Sequence, residues 1–87
     1  MATVFPIRIY SPAGLFFEGE STSLTFPTED GRIGVLANHI NMVAVLSKGT
    51  MTIRKKDDSV LKASVISGLV KVERGEVYIL ADRIMEA

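Results

Sequence analysis

Period two governs this chain. Apolar and polar residues alternate along Ile7-Arg8-Ile9, Leu24-Thr25-Phe26, Val70-Lys71-Val72 and Val77-Tyr78-Ile79. Successive side chains of an extended backbone point to opposite faces, so this pattern writes strands with one dry and one wet side. A helix needs apolar residues three and four apart, and no stretch supplies a convincing set. Turn residues cut the alternation into short pieces: Ser11-Pro12-Ala13-Gly14, Asp30-Gly31, Ser47-Lys48-Gly49, Lys56-Asp57-Asp58-Ser59 and Arg74-Gly75. Asp-Gly before a strand is a strong hairpin signal, because glycine reaches the positive φ that tight turns need.

Strands are therefore expected at 4–10, 15–19, 21–27, 33–36, 51–55, 60–66, 70–73 and 76–79, and the apolar run 42–46 reads as a strand or the end of a loop. Ser67-Gly68 marks a bulge or bend. Residues 81–87 are expected to form one helical turn, with Asp82 near its start. Short strands at this spacing predict an all-β sandwich or barrel, built as a single domain over 1–87.

The composition supports one core: 47% of the 87 residues are hydrophobic. Ten acidic and ten basic side chains cancel, so no bulk field draws in nucleic acid or anionic lipid. Without cysteine there is no disulfide or thiolate metal site. The stretch 1–10 lacks the basic start and apolar core of a signal peptide, and the longest apolar runs are too short to span a bilayer.

Catalytic chemistry finds little to build on. His39 is the only imidazole, no GxSxG elbow surrounds a serine, and neither GxxxxGK[ST] nor GxGxxG occurs. One histidine without cysteine falls short of a usual zinc site. Arg54-Lys55-Lys56 is the one basic cluster, and Asp57-Asp58 cancels its field at once, so it reads as a solvated turn. Phe5, Phe16, Phe17 and Phe26 sit in apolar strands and are expected in the core rather than as a base-stacking platform. Met42 and Met51 read as core or interface. No cofactor is expected.

One stretch carries a resemblance. Asp30-Gly31-Arg32-Ile33-Gly34-Val35-Leu36-Ala37-Asn38-His39 resembles the segment of ATP synthase epsilon subunits in which an acidic-Gly turn leads to a glycine, apolar residues, a loop and a histidine. The flanks agree: Tyr10-Ser11-Pro12 before Phe17-Glu18-Gly19, Leu46-Ser47-Lys48-Gly49, and Ser67-Gly68-Leu69 before Val77-Tyr78-Ile79-Leu80-Ala81. Ala37 and Asn41 depart from it, standing where the family usually has proline, and Leu69 stands where a second glycine is common.

The resemblance implies a β-sandwich of two sheets with about ten strands. It implies a rotor subunit held between the gamma stalk and the membrane c-ring, peripheral to the membrane on its cytoplasmic face (stromal or matrix in an organelle). By position it implies that Glu29, Asp30, Gly31 and Arg32 meet the c-ring, and that Ser11 and His39, with Asn38, Met42 and Ala44, meet gamma. The family's C-terminal helical hairpin, which brakes hydrolysis and in some members binds ATP, has no counterpart in this sequence, so no inhibitory switch is expected. The rival reading is a generic β-barrel module, a lipoyl-type carrier or an oligonucleotide-binding barrel. A carrier needs a lysine at an exposed hairpin tip. Lys71 lies inside a strand and Lys48 lacks the usual neighbours.

Overall fold

The computed structural model describes residues 3–87, and among them every regular element is a strand. In chain order these are β1 (Phe5–Ser11), β2 (Gly14–Thr28), β3 (Gly31–Val35), β4 (Met42–Leu46), β5 (Gly49–Lys55), β6 (Val60–Val65), β7 (Gly68–Glu73), β8 (Glu76–Ala81) and β9 (Ile84–Glu86). Two expectations fail. The strands foreseen at 15–19 and 21–27 are one continuous strand, β2. The helical turn foreseen at 81–87 is instead β9, which pairs with β6 through Ala63–Glu86, Ser64–Met85 and Val65–Ile84. Seven residues are too few to hold a helix on propensity, so the open edge of β6 decides their conformation.

β2 is long because it serves two layers. Its first half pairs with β1, from Ser11–Gly14 to Phe5–Ser21. Its second half pairs with β3 on one side, from Leu24–Val35 to Thr28–Gly31, and with β5 on the other. A register shift between Ser21 and Ser23 marks the crossing, where a bulge lets the strand bend without losing its ladder. One layer thus runs β4-β7-β8-β1-β2 and the other β3-β2-β5-β6-β9. β1 and β8 pair in parallel, and every other pair is antiparallel.

The alternation delivers its dry faces into one core between the layers. Ile7, Ile9, Val70, Val72, Val77 and Ile79 come from the first layer, and Leu24, Phe26, Met51, Ile53 and Val65 from the second. Each is buried almost completely, which stabilises by about 1.5–3 kcal/mol per large side chain. Phe5 and Phe26 are in this core as expected, whereas Phe16 and Phe17 only pack partly against it. Lys55 covers part of the Phe17 ring, its Nζ 5.5 Å from the centroid.

Gly68 opens β7 in a place no side chain fits. Its φ is +157°, and a Cβ there would stand 2.3 Å from the Leu80 carbonyl oxygen and 2.9 Å from the Ala81 Cα. The expected bend at Ser67-Gly68 is thus a close approach of β7 to β8 that only glycine permits.

Candidate functional site

The surfaces, not the core, hold the candidate residues. Thr28 and Gly31 close the β2–β3 hairpin, with Glu29 and Asp30 as the exposed loop pair. The Thr28 hydroxyl donates to the Gly31 carbonyl at 2.7 Å and accepts from the Asp30 amide at 3.2 Å. Gly31 has a φ of +114°, which is why the acidic pair is followed by glycine. Arg32 leaves the turn on the outer side of β3, exposed. Glu29, Asp30, Gly31 and Arg32 therefore form one projecting charged tip.

The second expected set does not form one patch. Asn38 turns the β3–β4 loop at a φ of +64°. His39 is half-buried, and its Nδ1 donates to the Ile40 carbonyl at 2.8 Å, which assigns the proton to Nδ1. Asn41 ties this loop down: its Oδ1 accepts the Arg74 amide of the β7–β8 turn at 3.0 Å. Met42 and Ala44 face inward and pack against the core, while Val43 and Val45 point out, 67% and 63% exposed.

Ser11 lies at the far end of the same layer. Its partner in register is Gly14, and the preceding residue, Tyr10, is level with Leu80, Leu69 and Val45, whereas Met42 is level with Val72, Val77 and Ile7. Its hydroxyl makes only turn bonds, accepting from the Ala13 amide and reaching the Gly14 carbonyl.

Beside the Ser11 end lies a row of apolar residues that reading the chain alone does not find. The cross-strand register lines up Val45, Leu69, Leu80, Tyr10 and Leu15 across β4, β7, β8, β1 and β2. All are outward and between 37% and 63% exposed. The adjoining row is polar apart from Val43: Val43, Lys71, Tyr78, Arg8 and Glu18. There the Arg8 Nε meets the Glu18 Oε2 at 2.7 Å, and the carboxylate raises the guanidinium's pKa further. Alternation already marks Leu69 and Leu80 as outward. That they are neighbours of Tyr10 and Val45 depends on registers set by distant strands.

A groove lies beside β4. Thr28, Glu29, Asp30 and Ile33 line one side and Met42, Val43, Ala44 and Val45 the other. The expected ring-contacting turn and part of the expected gamma-contacting set thus share one concavity. Acid–base machinery is scarce, and among the described residues no group of three or more His, Asp or Glu is placed to hold a metal. Arg54 and Lys55 end β5 and Lys56 opens a polar turn. There the Ser59 hydroxyl and amide donate to the Asp57 carboxylate, holding its pKa below the ordinary value.

The comparisons with known proteins agree with this architecture. The family model described as "ATP synthase, Delta/Epsilon chain, beta-sandwich domain" matches residues 4–87, and the chain belongs to that family. Among curated relatives, the ATP synthase epsilon chain of Sulfurimonas denitrificans is 36% identical over 76 residues, covering 87% of this chain and 58% of the relative. That of Dichelobacter nodosus is 34% identical over all of this chain and 61% of its own length. The chain thus spans about three-fifths of these relatives. Among solved structures, a chain of the Euglena gracilis mitochondrial ATP synthase (OSCP/F1/c-ring) superposes with a TM-score of 0.91 at 18% identity, covering 99% of this chain and 55% of that one. A chain of the Tetrahymena thermophila mitochondrial ATP synthase central stalk and c-ring gives 0.79 at 17% identity, over 97% and 67%. At such identities these two speak for the fold.

Proposed function

We propose that this chain is the sandwich domain of a rotor subunit of an F-type ATP synthase, linking the gamma stalk to the c-ring and transmitting rotation without chemistry of its own. The observation that carries this reading is the match of the family's sandwich domain to residues 4–87. The surfaces suit the role. A charged tip at Glu29–Arg32 is what a contact with polar loops of a ring requires, since rim charges set register and association rate. The outer face of the first layer offers apolar area for a stationary grip on gamma. The doubly anchored His39 loop, held by its own hydrogen bond and by Asn41, provides a stiff edge.

The domain would sit peripherally, on the membrane side where the catalytic head lies, held through the complex. The carrier reading loses support from Lys71, which lies within β7 with its Nζ 3.4 Å from the Glu73 Oε1 rather than at a hairpin tip.

Size-exclusion chromatography of the chain mixed with purified gamma stalk tests the proposal. Co-elution is expected, and a cysteine at Arg32 should crosslink to a cysteine in the ring loop of the assembled enzyme. Separate elution, or crosslinking at that site to gamma alone, defeats it.

A further inference from the structure

The edges of the two layers are not equally protected. β3 is an edge strand with Arg32 and two glycines, and β9 is an edge of only three residues that carries Glu86. Charges, glycines and shortness are the usual defences of a free edge against unwanted pairing. β4 has none. It reads Met42-Val43-Ala44-Val45-Leu46, without charge, proline or bulge, and among the described residues β7 is the only strand it pairs with, while the Ser47 amide just past its end donates to the Pro27 carbonyl at 3.0 Å. In an antiparallel pair alternate amides and carbonyls point away from the partner, so β4 presents a regular row of such groups to the groove described above.

The groove also has a sign. Its rim carries Glu29 and Asp30, and no lysine, arginine or histidine is among its lining residues. Arg32 is two residues from Asp30 and stands on the outer side of β3.

We infer that β4 receives an extended segment of a partner chain as an added strand, with alternating apolar residues against Val43 and Val45 and a lysine or arginine against Glu29 and Asp30. Main-chain pairing supplies the affinity, and the acidic rim fixes the direction. The inference rests on β4 being an interface and does not require that the partner be gamma.

A blocked peptide alternating valine and threonine, with lysine at each end, serves as the probe, beside a version with glutamate at each end and two versions N-methylated on either alternate set of amides. The lysine peptide should bind the chain at least about tenfold more tightly than the glutamate peptide, and Glu29→Lys with Asp30→Lys should reverse that order. One N-methylated peptide should bind and the other should fail, because only one set of amides faces β4. Hydrogen exchange should slow at those β4 amides that do not bond β7. Val43→Lys, at an exposed position that leaves the core intact, should abolish binding.

Equal binding of both N-methylated peptides, or unchanged exchange along β4, overturns strand addition. A dimer of the chain alone that Val43→Lys dissolves and Leu80→Lys does not would assign the edge to a second copy and overturn the inference as well. Neither result touches the co-elution with gamma, so failure here and failure of the rotor reading are separable.

Discussion

The two layers share one core and differ on their outsides. Across the first, the register assembles Val45, Leu69, Leu80, Tyr10 and Leu15 into an exposed apolar row. Across the second, the equivalent outward line is Gly34, Thr25, Thr52 and Lys62, beside a row of Thr50, Ser64 and the exposed Met85. Threonine suits a strand that faces water, since it is β-branched and keeps a hydroxyl for solvent. Leucine in the same place gains nothing until something covers it. The inner faces therefore serve folding, and the contrast between the outer faces is what the proposed gamma contact on the first layer rests on.

The largest effects should come from the shared core, where the contrast disappears. Ile79→Ala should cost about 2–5 kcal/mol in urea denaturation, and Ile53→Ala in the second layer a comparable amount. If one cost less than about 1 kcal/mol, the two layers would not contribute alike. Gly68→Ala should lose about 1–3 kcal/mol or more, because β7 must move off β8 to make room. Gly34→Ala, with open space at its Cβ, should sit within about 0.5 kcal/mol of the parent.

The outer faces should separate binding from stability. Leu80→Lys should leave the urea midpoint within about 0.5 kcal/mol of the parent, lower any self-association seen by sedimentation, and weaken gamma binding about tenfold. Thr52→Lys on the other layer should leave both unchanged, and gamma binding that responded to Thr52 would assign the partner to the wrong side. Ser21 tests the crossing between the layers. Its hydroxyl is fully buried and has no hydrogen-bond partner, so Ser21→Ala should stabilise by about 1 kcal/mol. A loss instead would mean that the hydroxyl holds the bend.

The smallest effect belongs to the polar turn of the second layer. Ser59 holds the Asp57 carboxyl below 3.8, so the folded chain favours the charged form. The resulting stabilisation is present above pH 3.8 and is lost as pH falls through the lower folded value. The stability gap between the chain and Asp57→Ala should therefore be flat near neutrality and close in acid. A gap that widened in acid would reverse the sign.

Alternation and turn chemistry made much legible along the chain. Arg74-Gly75 reads as a turn from sequence, and both residues there have positive φ, +52° and +78°. The acidic tip at Glu29–Arg32 was legible for the same reason: a two-residue hairpin carries its signal locally. Ala44 was harder. It was expected on a contact face with Met42, yet both turn toward the core, and the outward positions are Val43 and Val45. A run of five apolar residues contains no alternation to tell its two sides apart.

By itself, then, the order of residues determined which segments extend, where most of them turn and which side chains must be dry, since these follow from period two and from the φ preferences of glycine, proline and asparagine. Only the tertiary structure decided that β2 runs unbroken through both layers, that residues 84–86 join β6 as a strand, and that Val45, Leu69, Leu80, Tyr10 and Leu15 become neighbours. Those outcomes depend on pairing between residues distant in the chain, and the free energy of such pairing is set by the partner strand and the register it imposes, not by the local sequence.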